Sequence, residues 1–315
     1  LTGAAADANT AYAANAAGTI SGLGNEAVTI TDTTLAVTVL NTLNGNTSGV
    51  IDANTITTFT GAAADVETLY NASGISGLGN EAITLSDTTI TATLMNQING
   101  FTAGVVAAAD VTTITGNVEN INAVYASANA TPTEISGLGD EAVTTTDTSL
   151  AASLINTLDG YTTGLIDASS VTTLTGSAAD VNTALTSNGI TDLGNEAVTI
   201  SDTTLAATVL NTLNSNTTGV VNASSVTTLT GLYADVNVAY AANTAGTISG
   251  LADEAITLSD TTLAATSLNA LNDLTTGVIN ASSITTLTGA YIDVNASYTA
   301  NAAGTISGLA DEAIT

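Results

Sequence analysis

Hydrophobic and polar residues follow two different spacings along this chain, and each spacing predicts a different element. Residues 27–31, Ala-Val-Thr-Ile-Thr, alternate between apolar and polar, which is typical of a short, half-buried strand. Leu232, Val236 and Tyr240 recur every four residues, which is typical of one face of a helix. One such strand and one such helix together occupy about 28 residues of the sequence.

A second type of helix is predicted directly after the strand at 27–31, with an apolar face made of Leu35, Val39, Leu40 and Leu43. We expect Asp32 to cap this helix, because aspartate accepts a hydrogen bond from an unpaired N–H of a first helical turn. Equivalent aspartates are Asp87, Asp147, Asp202 and Asp260. The first type of helix is predicted to carry an acidic residue near its N-terminus, where the helix dipole favours it: Asp7, Asp65, Asp180, Asp235 and Asp293.

A repeat of 55 to 60 residues runs through the whole sequence. The phrase Ile-Ser-Gly-Leu-Gly-Asn-Glu-Ala-Val, or a close variant, begins at Ile20, Ile75, Ile135, Ile190, Ile248 and Ile306, which define six copies. Each full repeat holds two unlike strand–helix units. A unit this small cannot bury its own apolar face, so neighbouring units must stack. We therefore expect residues 1–315 to form a single continuous array, cut from a longer chain.

The predicted fold is an α/β tandem-repeat solenoid with parallel strands, one helix per coil and about eleven coils, with two unlike coils in each repeat. Parallel strands joined by a helix almost always connect in the right-handed sense, which places all helices on one face. Strands stack at about 4.8 Å and helices at about 8 to 10 Å, so curvature or superhelical twist is expected. Helices alternating between two faces would give a straight ribbon, but would need left-handed connections.

Composition narrows the function. The chain has no lysine, arginine, histidine or cysteine and carries a formal charge of −28 from its 28 acidic residues. Binding to nucleic acid or to an anionic membrane surface is excluded because nothing can neutralise a phosphate, and no apolar run reaches the roughly 18 residues of a membrane span. The usual nucleophiles, general bases and zinc ligands are also missing. An enzyme would require one copy to depart from the others in its acidic residues; we find none, and predict no enzyme.

A glutamate recurs in every copy and is the candidate calcium ligand. These residues are Glu26, Glu81, Glu141, Glu196, Glu254 and Glu312, and three copies add a preceding acid: Asp140, Asp253 and Asp311. Calcium takes six to eight such oxygens. Equivalent residues two coils apart lie about 9.6 Å from each other, so an ion would need ligands from the adjacent coil, such as Asp52 or Asp167. The alternative is that each glutamate accepts backbone N–H bonds at a tight turn and fixes the entry to the strand.

Threonine and tyrosine also recur at equivalent positions of the repeat. A threonine is expected to point outward from each strand, either as an ordinary solvated β face or as an ice-binding face: Thr29, Thr84, Thr144, Thr199 and Thr257. A tyrosine is expected to fill the core at one helix position, except in the fourth copy, where Leu185 replaces it: Tyr12, Tyr70, Tyr125, Tyr240 and Tyr298. Glycosylation sequons occur at Asn46, Asn71, Asn216, Asn222, Asn280 and Asn295.

The repeated phrases Ile-Ser-Gly-Leu-Gly-Asn-Glu-Ala-Val-Thr and Ser-Asp-Thr-Thr-Leu-Ala-Ala-Thr resemble the repeat regions of very large secreted surface proteins of marine cyanobacteria and related bacteria. In unit length the chain also resembles helical leucine-rich repeats, although the leucine signature itself is missing. The first resemblance implies an extracellular, cell-surface or filamentous protein. The leading hypothesis is a self-associating structural segment of a filament, sheath or surface coat. The alternatives are a calcium-dependent adhesin or glycan-binding array and, third, an ice-binding solenoid.

Overall fold

The computed structural model describes all 315 residues and consists of eleven helices joined by short, parallel strands. A strand leads into a helix, and the chain then returns to pair beside its starting strand: Leu35 pairs with Phe59, 24 residues later, and Phe59 pairs with Ile83. Each such turn contains one helix. The α/β solenoid with parallel strands and one helix per coil is therefore confirmed.

The chain divides into two compact units. The first contains Leu1–Asp147 and Thr157–Asp167. Its complete helices are α1 (Ala5–Ala16), α2 (Val37–Asn46), α3 (Ala63–Tyr70), α4 (Ala92–Phe101) and α5 (Val118–Ala128). Its strands are β1 (Thr2–Gly3), β2 (Val28–Ile30), β3 (Thr34–Ala36), β4 (Ile51–Asp52), β5 (Thr58–Gly61), β6 (Ile75–Ser76), β7 (Ala82–Leu85), β8 (Thr89–Thr91), β9 (Val106–Ala107), β10 (Thr113–Gly116), β11 (Ile135–Ser136), β12 (Ala142–Thr145) and β14 (Ile166–Asp167).

The second unit contains Thr148–Asn156 and Ala168–Thr315, and α6 (Ala152–Asp159) contributes residues to both units. Its complete helices are α7 (Ala178–Thr186), α8 (Ala207–Asn216), α9 (Tyr233–Ala245), α10 (Ala265–Asn272) and α11 (Tyr291–Ala303). Its strands are β13 (Ser149–Ala151), β15 (Thr173–Gly176), β16 (Ile190–Thr191), β17 (Ala197–Ile200), β18 (Thr204–Ala206), β19 (Val221–Asn222), β20 (Thr228–Gly231), β21 (Ile248–Ser249), β22 (Ala255–Leu258), β23 (Thr262–Ala264), β24 (Ile279–Asn280), β25 (Thr286–Thr288), β26 (Ile306–Ser307) and β27 (Ala313–Ile314).

The sheets run across repeat boundaries. In the first unit, one sheet has the order β3-β5-β7-β9-β11, and its in-register side chains are Leu35, Phe59, Ile83, Val106 and Ile135. All five are buried, so they form one apolar column through five coils. In the second unit, the sheet β18-β20-β22-β24-β26 forms an equivalent column. Both of these sheets begin in one repeat and end at the start of the second repeat after it.

The second helix type begins later than the sequence pattern predicts. The expected helix with Leu35 on its apolar face is wrong at that residue, because β3 holds Leu35 in the sheet, and α2 begins only at Val37. The β-branched Thr33 and Thr34 favour this extended segment. Val37, Leu40 and Leu43 form the buried face of α2.

The outward position of the threonine rank is confirmed: Thr29, Thr84 and Thr257 are exposed between buried strand neighbours, and Thr144 and Thr199 are half-buried. No helix in the structure combines the length and the apolar character that a bilayer crossing requires.

Candidate functional site

The recurring glutamates each fold back onto their own turn. The turns consist of the glutamate and the two residues before it, and we name them the glutamate turns: residues 24–26, 79–81, 139–141, 194–196, 252–254 and 310–312. Glu81 Oε2 accepts from Gly79 N at 2.8 Å and from Asn80 N at 3.1 Å, and every other copy has at least the first of these bonds. The interpretation of the glutamate as an acceptor of backbone N–H groups is confirmed.

Five of the six carboxylates also accept a hydrogen bond from a tyrosine. The O–H···O distances are 3.3 Å for Tyr12–Glu26, 2.6 Å for Tyr70–Glu81, 2.9 Å for Tyr125–Glu141, 2.9 Å for Tyr240–Glu254 and 2.7 Å for Tyr298–Glu312. The sequence pattern predicts these tyrosines only as core filler, so it misses the hydroxyl pairing. Their joint recurrence, with the tyrosine 11 to 16 residues before the glutamate, is the feature that could have revealed it.

The pairing of tyrosine with glutamate changes the pKa values of the side chains involved. Burial, together with the adjacent glutamate, raises the pKa of Tyr70, Tyr125 and Tyr240 well above the ordinary value. The hydrogen bond to Glu312 raises the pKa of Tyr298 to about 12. The N–H of Gly24 is the main reason why the pKa of Glu26 is lowered. The raised pKa values of the tyrosines are those of neutral phenols that donate to the neighbouring carboxylates.

Five of the six glutamate turns are also fixed to the next coil through a Thr-x-Gly segment. Thr102 Oγ1 donates to the backbone oxygen of Glu81 at 2.7 Å and accepts from Gly104 N at 2.9 Å. A Cβ atom at residue 104 would overlap the same Glu81 carbonyl, so only glycine permits this approach. Equivalent threonine bonds to glutamate carbonyls come from Thr47, Thr162, Thr217 and Thr275.

The recurring aspartates cap helices, but not the helices that the sequence pattern assigns to them. Asp32 Oδ2 accepts from Ala5 N at 2.8 Å, at the N-terminus of the preceding helix α1. The capped residues in the other copies are Ala63, Val118, Ala178 and Tyr233, which bond to Asp87, Asp147, Asp202 and Asp260. The prediction that Asp32 caps the helix following it is wrong, because β3 separates the two and stacking brings α1 closer.

Asparagines form a further rank between successive helices. Asn211 Nδ2 donates to the backbone oxygen of Asp235 at 2.9 Å, which joins α8 to α9. The same contact recurs with Asn41, Asn96, Asn156 and Asn269 as donors. The recurring glutamates therefore accept hydrogen bonds within their own turns. The recurring threonines, aspartates and asparagines form hydrogen bonds between neighbouring coils.

The candidate calcium ligands are placed as follows. Glu81, Glu141, Glu196 and Glu254 are buried, Glu26 and Glu312 are half-buried, and the adjacent Asp140, Asp253 and Asp311 are exposed. No place in the structure brings three acidic side chains together. Backbone N–H groups and, in five copies, a tyrosine O–H bond to each of these carboxylates, so a cation bound to the same oxygens would have to displace them. Calcium binding stays a prediction.

The fourth copy departs from the other five at its glutamate turn. Leu185 stands where the others have tyrosine, and Glu196 Oε1 is buried with no hydrogen-bond partner. Asp192 stands where the other copies have glycine and is the one non-glycine residue with a positive φ, 63°. The expectation that no copy departs in its acidic residues is therefore wrong: comparing Asp192 with Gly77 or Gly250 in the sequence would have shown it.

The turn of the fourth copy borders a cavity of about 590 Å³ within the second unit. Its walls include Ser169 and Thr172 from the preceding coil, Asp192 and Leu193 from the segment just before the glutamate turn, and Asn195 from the turn itself. Comparison of the chain with protein-family models, with curated proteins and with solved structures gives no match.

Proposed function

We propose that this chain is a structural repeat segment of an extracellular filament, sheath or cell-surface coat. The observation that supports the proposal is the use made of the recurring polar side chains. In the second unit, Asp202 caps α7 of the preceding coil, Asn211 joins α8 to α9, and Thr275 bonds the carbonyl of Glu254. Repetition of such contacts favours a scaffold, in which every copy does the same work, over a single reaction centre.

Charge supports the same proposal. With 28 acidic residues and no lysine or arginine, copies of the chain repel each other at low ionic strength. Salt shortens the range of that repulsion to about 8 Å at 0.15 M, and divalent cations reduce it further. Copies then approach closely enough for backbone pairing at exposed strand edges. The resemblance of the repeated phrases to secreted bacterial surface proteins supports an extracellular location.

Light scattering and negative-stain microscopy of the purified chain test the proposal. We expect dispersed particles at low ionic strength, and larger assemblies when sodium chloride or calcium chloride is added. EDTA treatment at constant ionic strength should leave the melting temperature unchanged, because backbone N–H groups bond to every recurring glutamate and no place in the structure brings three acidic side chains together. Particles that stay monomeric at high salt and high concentration would overturn the self-association. A large fall in melting temperature with EDTA would favour the calcium-dependent adhesin instead.

A further inference from the structure

In the fourth copy, Asp192 replaces a glycine just before the glutamate turn, and a cavity lies beside that turn. In four other copies the residue equivalent to Asp192 is a glycine with φ of +87°, such as Gly250. A Cβ atom on Gly250 would come within 2.7 Å of Ser224 N in the preceding coil, closer than real Cβ atoms come. Asp192 carries such a Cβ. Its turn and the loop at Ser169 therefore cannot close together as they do in those copies, and the 590 Å³ cavity lies between them.

The walls of this cavity suit a neutral, hydroxyl-rich ligand. Asp192 and Asn195 are exposed, and their carboxylate and amide can hydrogen-bond to neighbouring hydroxyls. Ser169 and Thr172 add hydroxyls on the opposite wall, and Leu193 offers an apolar surface. The volume lies within the roughly 300 to 1,000 Å³ typical of small-molecule sites. An anionic ligand is disfavoured because Asp192 carries a negative charge at the cavity and the chain has no basic side chain.

We propose that the cavity beside Asp192 binds a neutral saccharide unit. The Asp192 carboxylate accepts hydrogen bonds from two sugar hydroxyls, the Asn195 amide both donates and accepts, and Leu193 packs against the C–H face of the ring. The inference rests on the proposed surface function, since a coat or sheath lies among polysaccharides. It assigns glycan contact to one copy rather than to the whole array.

Glu196 is a positioning residue for this site. Its Oε2 accepts from Gly194 N at 2.7 Å and from Asn195 N at 3.1 Å, so it fixes the backbone that carries the Asn195 side chain. A calcium ion is a poorer match for the cavity, because Asp192 is the one carboxylate residue among its walls and calcium requires six to eight oxygens.

Titration of the ¹⁵N-labelled full chain with maltose, cellobiose and sucrose in turn, followed by amide chemical shifts, tests the proposal. We expect at least one sugar to shift amides at Ser169, Thr172 and 192–195, with a millimolar Kd. Asp192→Gly restores the glycine of the other copies, so the fold is retained and binding should weaken at least about tenfold. Asp253→Asn, which changes an acid at another glutamate turn of the same unit, should leave binding unchanged.

Three results would overturn the saccharide site. They are no shift with any of the sugars, equal binding by the Asp192→Gly variant, and shifts at the same amides with calcium chloride alone. The last would identify a cation site instead. None of these results changes the salt-dependent assembly measured by scattering, so failure of the saccharide site is distinguishable from failure of the structural proposal.

Discussion

At the scale of the residue, the contact that recurs is a hydrogen bond from a tyrosine hydroxyl to the carboxylate of a glutamate turn. Glu254 is fully buried, yet it stays hydrogen-bonded because Tyr240 and Ala252 N both donate to it. Burying a carboxylate is costly unless its oxygens are satisfied. The fourth copy lacks the tyrosine donor because Leu185 stands in its place, and Glu196 Oε1 is buried there without a hydrogen-bond partner.

Restoring the missing tyrosine should stabilise the second unit. Leu185→Tyr places a hydroxyl 11 residues before Glu196, the separation of Tyr70 from Glu81. We expect a gain of about 1 kcal/mol in the free energy of unfolding, the typical net value of one hydrogen bond, measured by urea denaturation. Leu185→Phe is the matched control. An equal gain from phenylalanine would show that ring packing, not the hydroxyl, is responsible.

The raised pKa values of the same tyrosines predict that the folded chain loses stability at alkaline pH. The pKa values of Tyr70, Tyr125 and Tyr240 are raised in the folded chain, while in the unfolded chain they lie near 10. Unfolded tyrosines therefore lose protons first, so this stability is complete below pH 10 and falls as the pH rises above it. We expect tyrosinate absorbance from these residues to appear together with the loss of the far-UV circular dichroism signal. Full tyrosine ionisation before any loss of structure would contradict the prediction.

At the scale of the element, helices depend on the coil that follows them. Asp202 lies after α7 in sequence and caps it, accepting from Ala178 N at 2.7 Å. Asp147 does the same for α5. The N–H of the first helical residue therefore gains its partner only when the next coil has stacked, although Ser177 and Asn117 also cap α7 and α5 locally. This arrangement couples the formation of adjacent coils.

Removal of the Asp202 side chain tests whether this residue caps the preceding helix, α7, or the following helix, α8. Asp202→Ala should cost about 1 kcal/mol, as for other lost caps, and should speed amide hydrogen exchange in α7. Asp202→Asn keeps an oxygen acceptor and should retain most of the stability. Faster exchange confined to α8, the helix that follows Asp202, would contradict the observed capping.

The repeat period and the alternation of elements were accessible from the sequence because Ile20, Ile75 and their equivalents mark them plainly. The segment from Asp32 to Leu35 was not, since aspartate followed by Thr-Thr-Leu fits either a capped helix or a short strand. The choice depends on Phe59, whose strand pairs with Leu35 from the next coil. The partner of Asp32 was hidden for the same reason, because only stacking brings it to Ala5.

At the scale of the whole molecule, the missing basic side chains mean that almost every charge–charge interaction in the chain is repulsive. No lysine, arginine or histidine side chain offsets the charge of the 28 acidic residues. Added salt has no lysine or arginine ion pair to weaken, so it can only screen repulsion. We expect the melting temperature to rise steadily with sodium chloride concentration, measured by circular dichroism. A fall at moderate salt would contradict this account.

The overlap of the sheets with the repeat boundaries has a mechanical consequence. At the boundary near Ile75, Phe59 on one side pairs with Ile83 on the other, and Ile51 pairs with Ile75. A tensile load across that boundary must break strand pairs in two sheets as well as separate two helices. Because the two sheets end at different repeats, no single plane across the chain separates two copies without breaking strand pairs. We therefore expect the boundaries between copies to resist tension as well as the interior of a copy does.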